Sequence, residues 1–480
     1  MEPDFEFELM LPERGSRTLL RDVHAQLRTA ILDGRLQAGL RLPTTRAFSH
    51  AYSISRNTAI AAYDLLLSEG YLATRGKAGT YVAQALPRPA RRESAQRSWQ
   101  LNPFWRRQLP AEAASRLHFD FQIGVPDVHA FPFALWRRLS ARALRAQARA
   151  SSAYADAQGR PALRAAIAQH VSFARAVGCV PEDIVVTAGA QQAFDLLARI
   201  LVVPGRTVVA LENPGYPPAR FAFAAAGAKI AATPVDDEGL VVERLPRNAR
   251  IIYVTPSHQF PLGPAMSARR RAQLLEFARR HRAVVIEDDY DGEFRFGGRP
   301  LDALQTLDRD ACVFYVGTFS KFLAPGLRMG YLVGPSDLVR ELRDVRRYTL
   351  RHPPGHIQRA LALLIDSGNY HRALRYHRTQ MKRKWERLVA AVNDYLPFDT
   401  GPFPPGGVSL WVVGPPELDC RELIPAAQSR GVLIERGDIF HVQDNPPRNM
   451  IRIGYGAINL RSIEPGIAIL GQCCTKVLQP

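Results

Sequence analysis

Cysteine is scarce in this chain: five residues in 480, at Cys179, Cys312, Cys420, Cys473 and Cys474. They are odd in number, scattered, and never spaced as Cys-x-x-Cys. That argues against a disulfide framework and against a thiolate metal site. Long apolar runs are missing too. No stretch reaches the roughly 20 consecutive apolar residues that cross a bilayer, so no membrane association is expected. The first residues are acidic where a secretion signal would be basic. A reducing cytoplasm is the expected compartment. Acidic residues are in deficit, 45 Asp and Glu against 63 Lys and Arg, for a net charge of +18. Such an excess favours polyanionic partners, nucleic acid first. A high-arginine, high-alanine composition inherited from a GC-rich genome would produce the same number, so charge alone leaves the question open. The length allows a large core and more than one domain.

What is present centres on residues 313–331. Val313, Phe314, Tyr315 and Val316 read as a buried strand. Thr318, Ser320 and Lys321 follow, then a turn at Pro325-Gly326 and, across it, Arg328. Lysine is rarely buried without a task. Desolvation there would lower its pKa and free its amine to attack a carbonyl. Arg328 can hold a phosphate, and Thr318 and Ser320 can add hydroxyl donors. An amine beside an anion-binding cluster is what pyridoxal 5′-phosphate requires. A snorkelling lysine with a surface arginine pair fits these residues as well.

The N-terminal part reads as a helix-turn-helix. Leu20, Val23, Leu27 and Ile31 give a helical period that ends at Asp33-Gly34. Thr44 opens a short second helix, and Ser55 caps a third whose buried face carries Ala59, Tyr63, Leu66 and Leu67. Residues 71–74, 75–79 and 80–82 read as strand, glycine-rich turn and strand, a wing with cations at its tip. A small helical dimerisation module is the alternative. From about 84 to 116 the pattern breaks down into prolines and arginines. This reads as a linker, either following a phosphate backbone or acting as a plain tether.

Beyond it, strands alternate with helices. Strands are expected at 184–187, 207–211, 251–254 and 283–286, and helices at 191–201 and 269–280. That pattern means an α/β domain with a largely parallel sheet and ligands at the strands' carboxyl ends. Candidate residues sit there. Gly189, Ala190 and Gln191 lie at a strand-to-helix junction whose free N–H groups suit a phosphate. Tyr216 can stack on a ring or merely close a turn. Glu287, Asp288 and Asp289 repel one another and require cationic neighbours. One of them can face a pyridinium nitrogen, or the group can hold magnesium.

Two resemblances run through these motifs. Residues Leu42–Arg46, Ser55–Thr58, Ala62-Tyr63, Leu66, Glu69–Tyr71 and Gly79–Val82 resemble the GntR family of winged-helix regulators. That implies double-stranded operator DNA as a partner, contacted by Arg46, Arg56, Thr58, Arg75 and Gly76. The stretch Ser320-Lys321 through Pro325-Gly326-Leu327-Arg328 resembles the signature of fold-type I aminotransferases. This implies pyridoxal 5′-phosphate bound as a Schiff base to Lys321, with Arg328 on its phosphate and Gly189, Ala190 and Gln191 forming a phosphate cup. It further implies Tyr216 stacked on the ring, Asp288 (or Asp289) at the ring nitrogen and Tyr290 at the ring hydroxyl. Tyr154 would reach the cofactor of a partner subunit, which requires a homodimer. Arg452 would clamp a carboxylate, with an interdomain ion pair as its alternative.

One stretch departs from the aminotransferase pattern. Ser257 to Gly263 reads Ser-His-Gln-Phe-Pro-Leu-Gly, where the family usually carries an asparagine before Pro-Thr-Gly. Efficient transamination is therefore in doubt. The whole chain is similar to the MocR-type regulators, which fuse the two modules. The implied architecture is a winged helix-turn-helix at 14–83, a linker at 84–116 and an α/β fold-type I domain at 117–480. That last domain would have a mixed, mainly parallel sheet, flanking helices and a smaller C-terminal α/β subdomain. The expected function is regulation of transcription by sensing an amine, an amino acid or the cofactor itself through imine exchange at Lys321. Transaminase activity is expected to be vestigial at most. The alternatives are an active aminotransferase with an accessory DNA-binding domain, and a cofactor-free scaffold.

Overall fold

The structure, a computed structural model, describes residues 7–12, 16, 18–84, 100, 102–106, 117–122, 124, 126–127, 131–149, 154–296 and 302–479. The chain divides into two compact units, residues 1–107 and 108–480. Most of the stretch expected to be a linker lies outside the described residues, as does Arg17, the expected start of the first helix.

The first unit consists of α1 (Leu19–Leu32), α2 (Thr45–Ala51), α3 (Arg56–Ser68), β1 (Leu72–Thr74) and β2 (Thr80–Val82). Helix α1 buries Val23, Leu27, Ala30 and Ile31 on one stripe, as a 3.6-residue period demands. Two hydroxyl caps set the other starts. Thr44 accepts from the Ala47 N–H at 3.2 Å, and Ser55 from the Thr58 N–H at 3.0 Å. Such caps satisfy helix N–H groups that otherwise lack partners. Ser53, at φ 50°, makes the turn between them. Phe48, Ala59, Tyr63 and Leu66 close the core against α1. Strands β1 and β2 pair antiparallel, Leu72 opposite Val82, around a tight turn at Gly76–Ala78. This is a winged helix-turn-helix.

The second unit is built on an eight-stranded sheet. In spatial order the strands are Ile184–Thr187, Gly330–Val333, Val313–Thr318, Val284–Asp289, Ala249–Val254, Val208–Asn213, Lys229–Asp236 and Gly239–Leu240. The strands from Val313–Thr318 through Lys229–Asp236 pair in parallel. Gly330–Val333 is antiparallel to both neighbours, and Gly239–Leu240 is antiparallel to its one partner. Helices cover both faces, so the central strands are apolar without alternation. Helix Ala268–His281 starts at a Ser267 cap (3.1 Å from the Arg270 N–H). A smaller C-terminal sheet joins Ser409–Val413, Met450–Gly454 and Glu435–Arg436. Helices Cys420–Ser429 and Leu460–Leu478 are also part of this region. The α/β expectation holds, with each predicted strand and helix in place to within a few residues. Among the described residues, no helix is long and apolar enough to cross a membrane.

Candidate functional site

The parallel strands all point their carboxyl ends at one region, and a cavity of about 170 Å³ opens there. Strand Val313–Thr318 delivers Thr318, Ser320 and Lys321. Strand Val284–Asp289 delivers Asp288 and Tyr290. The strand ending at Asn213 delivers Tyr216. Ala190 and Gln191 come from the start of helix Ala190–Leu201, and Arg328 comes from the turn after Lys321. All nine line the cavity. They are drawn from across some 140 residues of chain, and sheet topology alone brings them together.

Lys321 borders the void and is otherwise walled in by protein. Desolvation, then the nearby Arg452 charge, hold its ammonium pKa below the usual lysine value, while Asp291 and Asp288 oppose this. Gly124, which lines the same cavity, lies against it. At φ +79°, a Cβ there would fall 2.7 Å from Lys321 Nζ. Gly189, also at positive φ, starts the helix and faces Arg328. A Cβ at 189 would come within 3.0 Å of the Arg328 guanidinium. That guanidinium donates to the Ala188 carbonyl at 2.8 Å, so cation and helix N-terminus converge on one spot suited to an anion.

The three carboxylates separate cleanly. Glu287 accepts the Leu304 and Gln305 N–H groups at 2.7 and 2.9 Å. Asp289 is held by Arg175 at 2.7 Å and by the Tyr315 hydroxyl at 2.6 Å. Asp288 borders the cavity. Its Oδ2 accepts from Tyr253 at 2.6 Å, and its Oδ1 has no hydrogen-bond partner among the described residues. Burial raises its pKa to about 7, against the Tyr253 hydrogen bond and with the Asp289 charge adding to the rise. Cations stand near the group as expected, and at Glu287 the Arg271 charge acts beside the two backbone N–H donors, against the rise from burial. Among the described residues no cluster suits a metal ion, and the three side chains diverge.

Position 260 explains the departure from the aminotransferase pattern. Phe260 lines the cavity. The neighbouring Gln259 turns its amide to the Pro214 and Phe260 carbonyls, at 3.1 and 2.6 Å. No side-chain amide from this loop reaches the void. Arg452 lies behind Phe260, with its guanidinium 3.9 Å from the ring centroid. It is buried, donates to Ser409 Oγ at 3.0 Å and stands 4.0 Å from Glu435. It does not line the cavity. Tyr154 is also elsewhere, exposed and stacked under Arg351 at 4.0 Å. In the first unit, Arg46, Arg56, Arg75 and Gly76 are exposed. Thr58 is half-buried, its hydroxyl 2.8 Å from Ser55 Oγ. Sequence reasoning missed Gly124, Phe260, Pro325 and Arg175. Phe260 was visible as the odd residue in its motif; Arg175 carried no local signal.

The profile of the class I and II aminotransferases matches residues 119–467, and that of the GntR bacterial regulatory proteins matches residues 19–82. A probable rhizopine catabolism regulatory protein, MocR, of Rhizobium meliloti is 36% identical over 96% of this chain and 94% of its own. The HTH-type transcriptional regulator TauR of Rhodobacter capsulatus is 34% identical over 95% of this chain and 96% of its own. Among solved structures, a kynurenine aminotransferase of Pyrococcus horikoshii superposes with a TM-score of 0.71. It is 28% identical and covers 76% of this chain and 93% of its own. This class of domain makes pyridoxal 5′-phosphate the cofactor, and the residues fit it. An unpartnered carboxylate oxygen, a desolvated amine and an arginine at a helix N-terminus match its ring nitrogen, aldehyde and phosphate. The GntR module in turn implies binding to operator DNA. The chain belongs to the MocR-type subfamily of GntR transcriptional regulators, a winged helix-turn-helix joined to a fold-type I aminotransferase-like domain.

Proposed function

We propose that this regulator senses a small amine or amino acid, or the cofactor itself, in the Lys321 cavity, and that occupancy alters its hold on operator DNA. The observation that carries this reading is the pairing of Lys321 with the open oxygen of Asp288 across one cavity. Lys321 would hold the cofactor covalently, and Asp288 its ring nitrogen. Arg328, Gly189, Ala190, Gln191, Thr318 and Ser320 would cradle its phosphate, with Tyr216 on the ring face and Tyr290 at the ring hydroxyl. When bound, the cofactor supplies a carbonyl carbon that exchanges one primary amine for another. A depressed lysine pKa keeps a fraction of Lys321 neutral, which such exchange needs. Arg452 would take an effector carboxylate once Phe260 moves aside.

The protein would act as a cytoplasmic homodimer, with Tyr154 completing the partner's site. Domain limits of 14–83, 84–116 and 117–480 go with this reading. Arg46, Arg56, Thr58, Arg75 and Gly76 would meet DNA, arginines reading guanine edges or phosphates. The signal requires an effector that binds two states of the dimer differently.

Absorption spectra with and without borohydride, beside Lys321→Ala, test the first step. A visible band trapped on Lys321 and absent from the variant supports it. Amines that shift the band and change operator affinity support the second step. The retained Lys321 and Asp288 also favour a second reading, an active aminotransferase. Sustained conversion of an amino acid with a keto-acid acceptor would establish that instead.

A further inference from the structure

The cavity wall nearest Arg452 is aromatic. Phe260 forms it, from the loop that follows strand Ala249–Val254. Its ring packs on Tyr216 at 5.0 Å and on Tyr290 at 5.7 Å, two other residues of the cavity lining. It also packs on Phe440, from the C-terminal region, at 5.3 Å. All three pairs meet edge to face, as aromatic quadrupoles favour. The backbone is held as well. The Phe260 N–H donates to Thr255 Oγ1 at 2.9 Å, and that hydroxyl donates to Glu212 at 2.6 Å. The ring is therefore seated from every side and is 6% exposed.

Behind it, Arg452 is already engaged. The guanidinium lies 3.9 Å from the Phe260 ring centroid and 5.5 Å from that of Phe440. Nε donates to Ser409 Oγ at 3.0 Å, and Nη1 stands 4.0 Å from Glu435. A carboxylate binds arginine best edge-on, through two parallel N–H bonds. Each edge that could offer such a pair has one nitrogen facing a protein oxygen, Ser409 at Nε or Glu435 at Nη1. Seating a carboxylate there takes the Phe260 ring off the cation and off its aromatic neighbours. An amine that carries no carboxylate keeps all these contacts and meets an apolar wall. It also brings no anion out of water onto a phenyl ring.

We propose that Phe260 is a specificity-determining residue of the effector site: it closes Arg452 to carboxylates, so the cavity ranks a primary amine without a carboxylate above the amino acid of the same side chain. This rests on the cofactor reading above. An amino acid enters only by displacing the ring, and binds more weakly for it.

The test titrates full-length protein loaded with pyridoxal 5′-phosphate and reads its visible band. The probes are three matched pairs: ethylamine and alanine, isobutylamine and valine, phenethylamine and phenylalanine. Members of a pair differ only in the carboxylate. The ratio of their dissociation constants is referred to the same ratio measured on free pyridoxal 5′-phosphate, which removes the basicity of the amines themselves. Wild type is expected to favour the amine of each pair. Phe260→Ala is expected to move the ratio toward the amino acid by about tenfold, the scale of one desolvated contact between cation and ring. In that background Arg452→Gln is expected to abolish the shift. Simple enlargement of the cavity would instead tighten both members of a pair alike. If Phe260→Ala does not fold, Phe260→Val carries the same prediction. An unshifted ratio in these variants overturns the proposal. So does a wild type that favours the amino acids, or no response to any of the six in wild type and variant alike. No band in any protein, wild type included, overturns the cofactor reading and this inference with it.

Discussion

Asp288→Asn in the cofactor-free protein gives a stability change that can be worked from the structure. The Asp288 carboxyl is raised from 3.8 to about 7 in the fold. A carboxyl with a raised native pKa binds its proton more tightly when folded. Stability is then lost as pH climbs from the unfolded value to the folded one, and it levels off beyond. Between pH 5 and 7 this group spans two units, about 3 kcal/mol at 1.36 kcal/mol per unit. For the unit of residues 108–480, the unfolding entropy is about 0.8 kcal/mol per kelvin. The Asp288 share of the slope is therefore about 3–4 °C in Tm between pH 5 and 8. Glu212 and Glu287, both raised to about 7 mainly by burial, add slopes of the same sign that the variant keeps. Thermal melts of wild type and Asp288→Asn across this range measure the difference. Saturating pyridoxal 5′-phosphate is expected to flatten the wild-type slope, because a cation at Oδ1 stabilises the carboxylate. Parallel pH profiles for wild type and variant without cofactor would refute the reasoning.

Arg175→Met strips Asp289 of its buried cation and is expected to cost about 3–5 kcal/mol; chemical denaturation would measure it. Gly189→Ala forces a strained φ and crowds Arg328, so cofactor affinity should fall while the winged helix keeps its operator affinity, both read by titration. Ser55→Ala removes the cap of α3 and is expected to lower the stability of the isolated first unit by about 1 kcal/mol. Arg56→Ala is expected to weaken operator binding by about 1–3 kcal/mol without altering the visible band, as a gel-shift series and a spectrum would show.

Two kinds of information sit in this chain. Local patterns were legible from the residues. The period of α1, the hydroxyl caps of α2 and α3, and the apolar runs of the central strands each depend on neighbours a few positions away. Lys321, Arg328, Gly189 and the Glu287–Asp289 run were legible because each sits where a strand ends and a turn or helix begins. Which carboxylate faces the cavity was not legible. That depends on Arg175 and Tyr315 claiming Asp289, and Arg175 lies 114 positions away. Gly124 acquires meaning only because Lys321 arrives beside it. The place of Phe260 over Arg452 likewise follows from loops packed together by the sheet. Short-range sterics and hydrogen bonding write secondary structure into the sequence. Charge pairing, desolvation and cavity shape are set by atoms distant in the chain, so tertiary structure alone decides them.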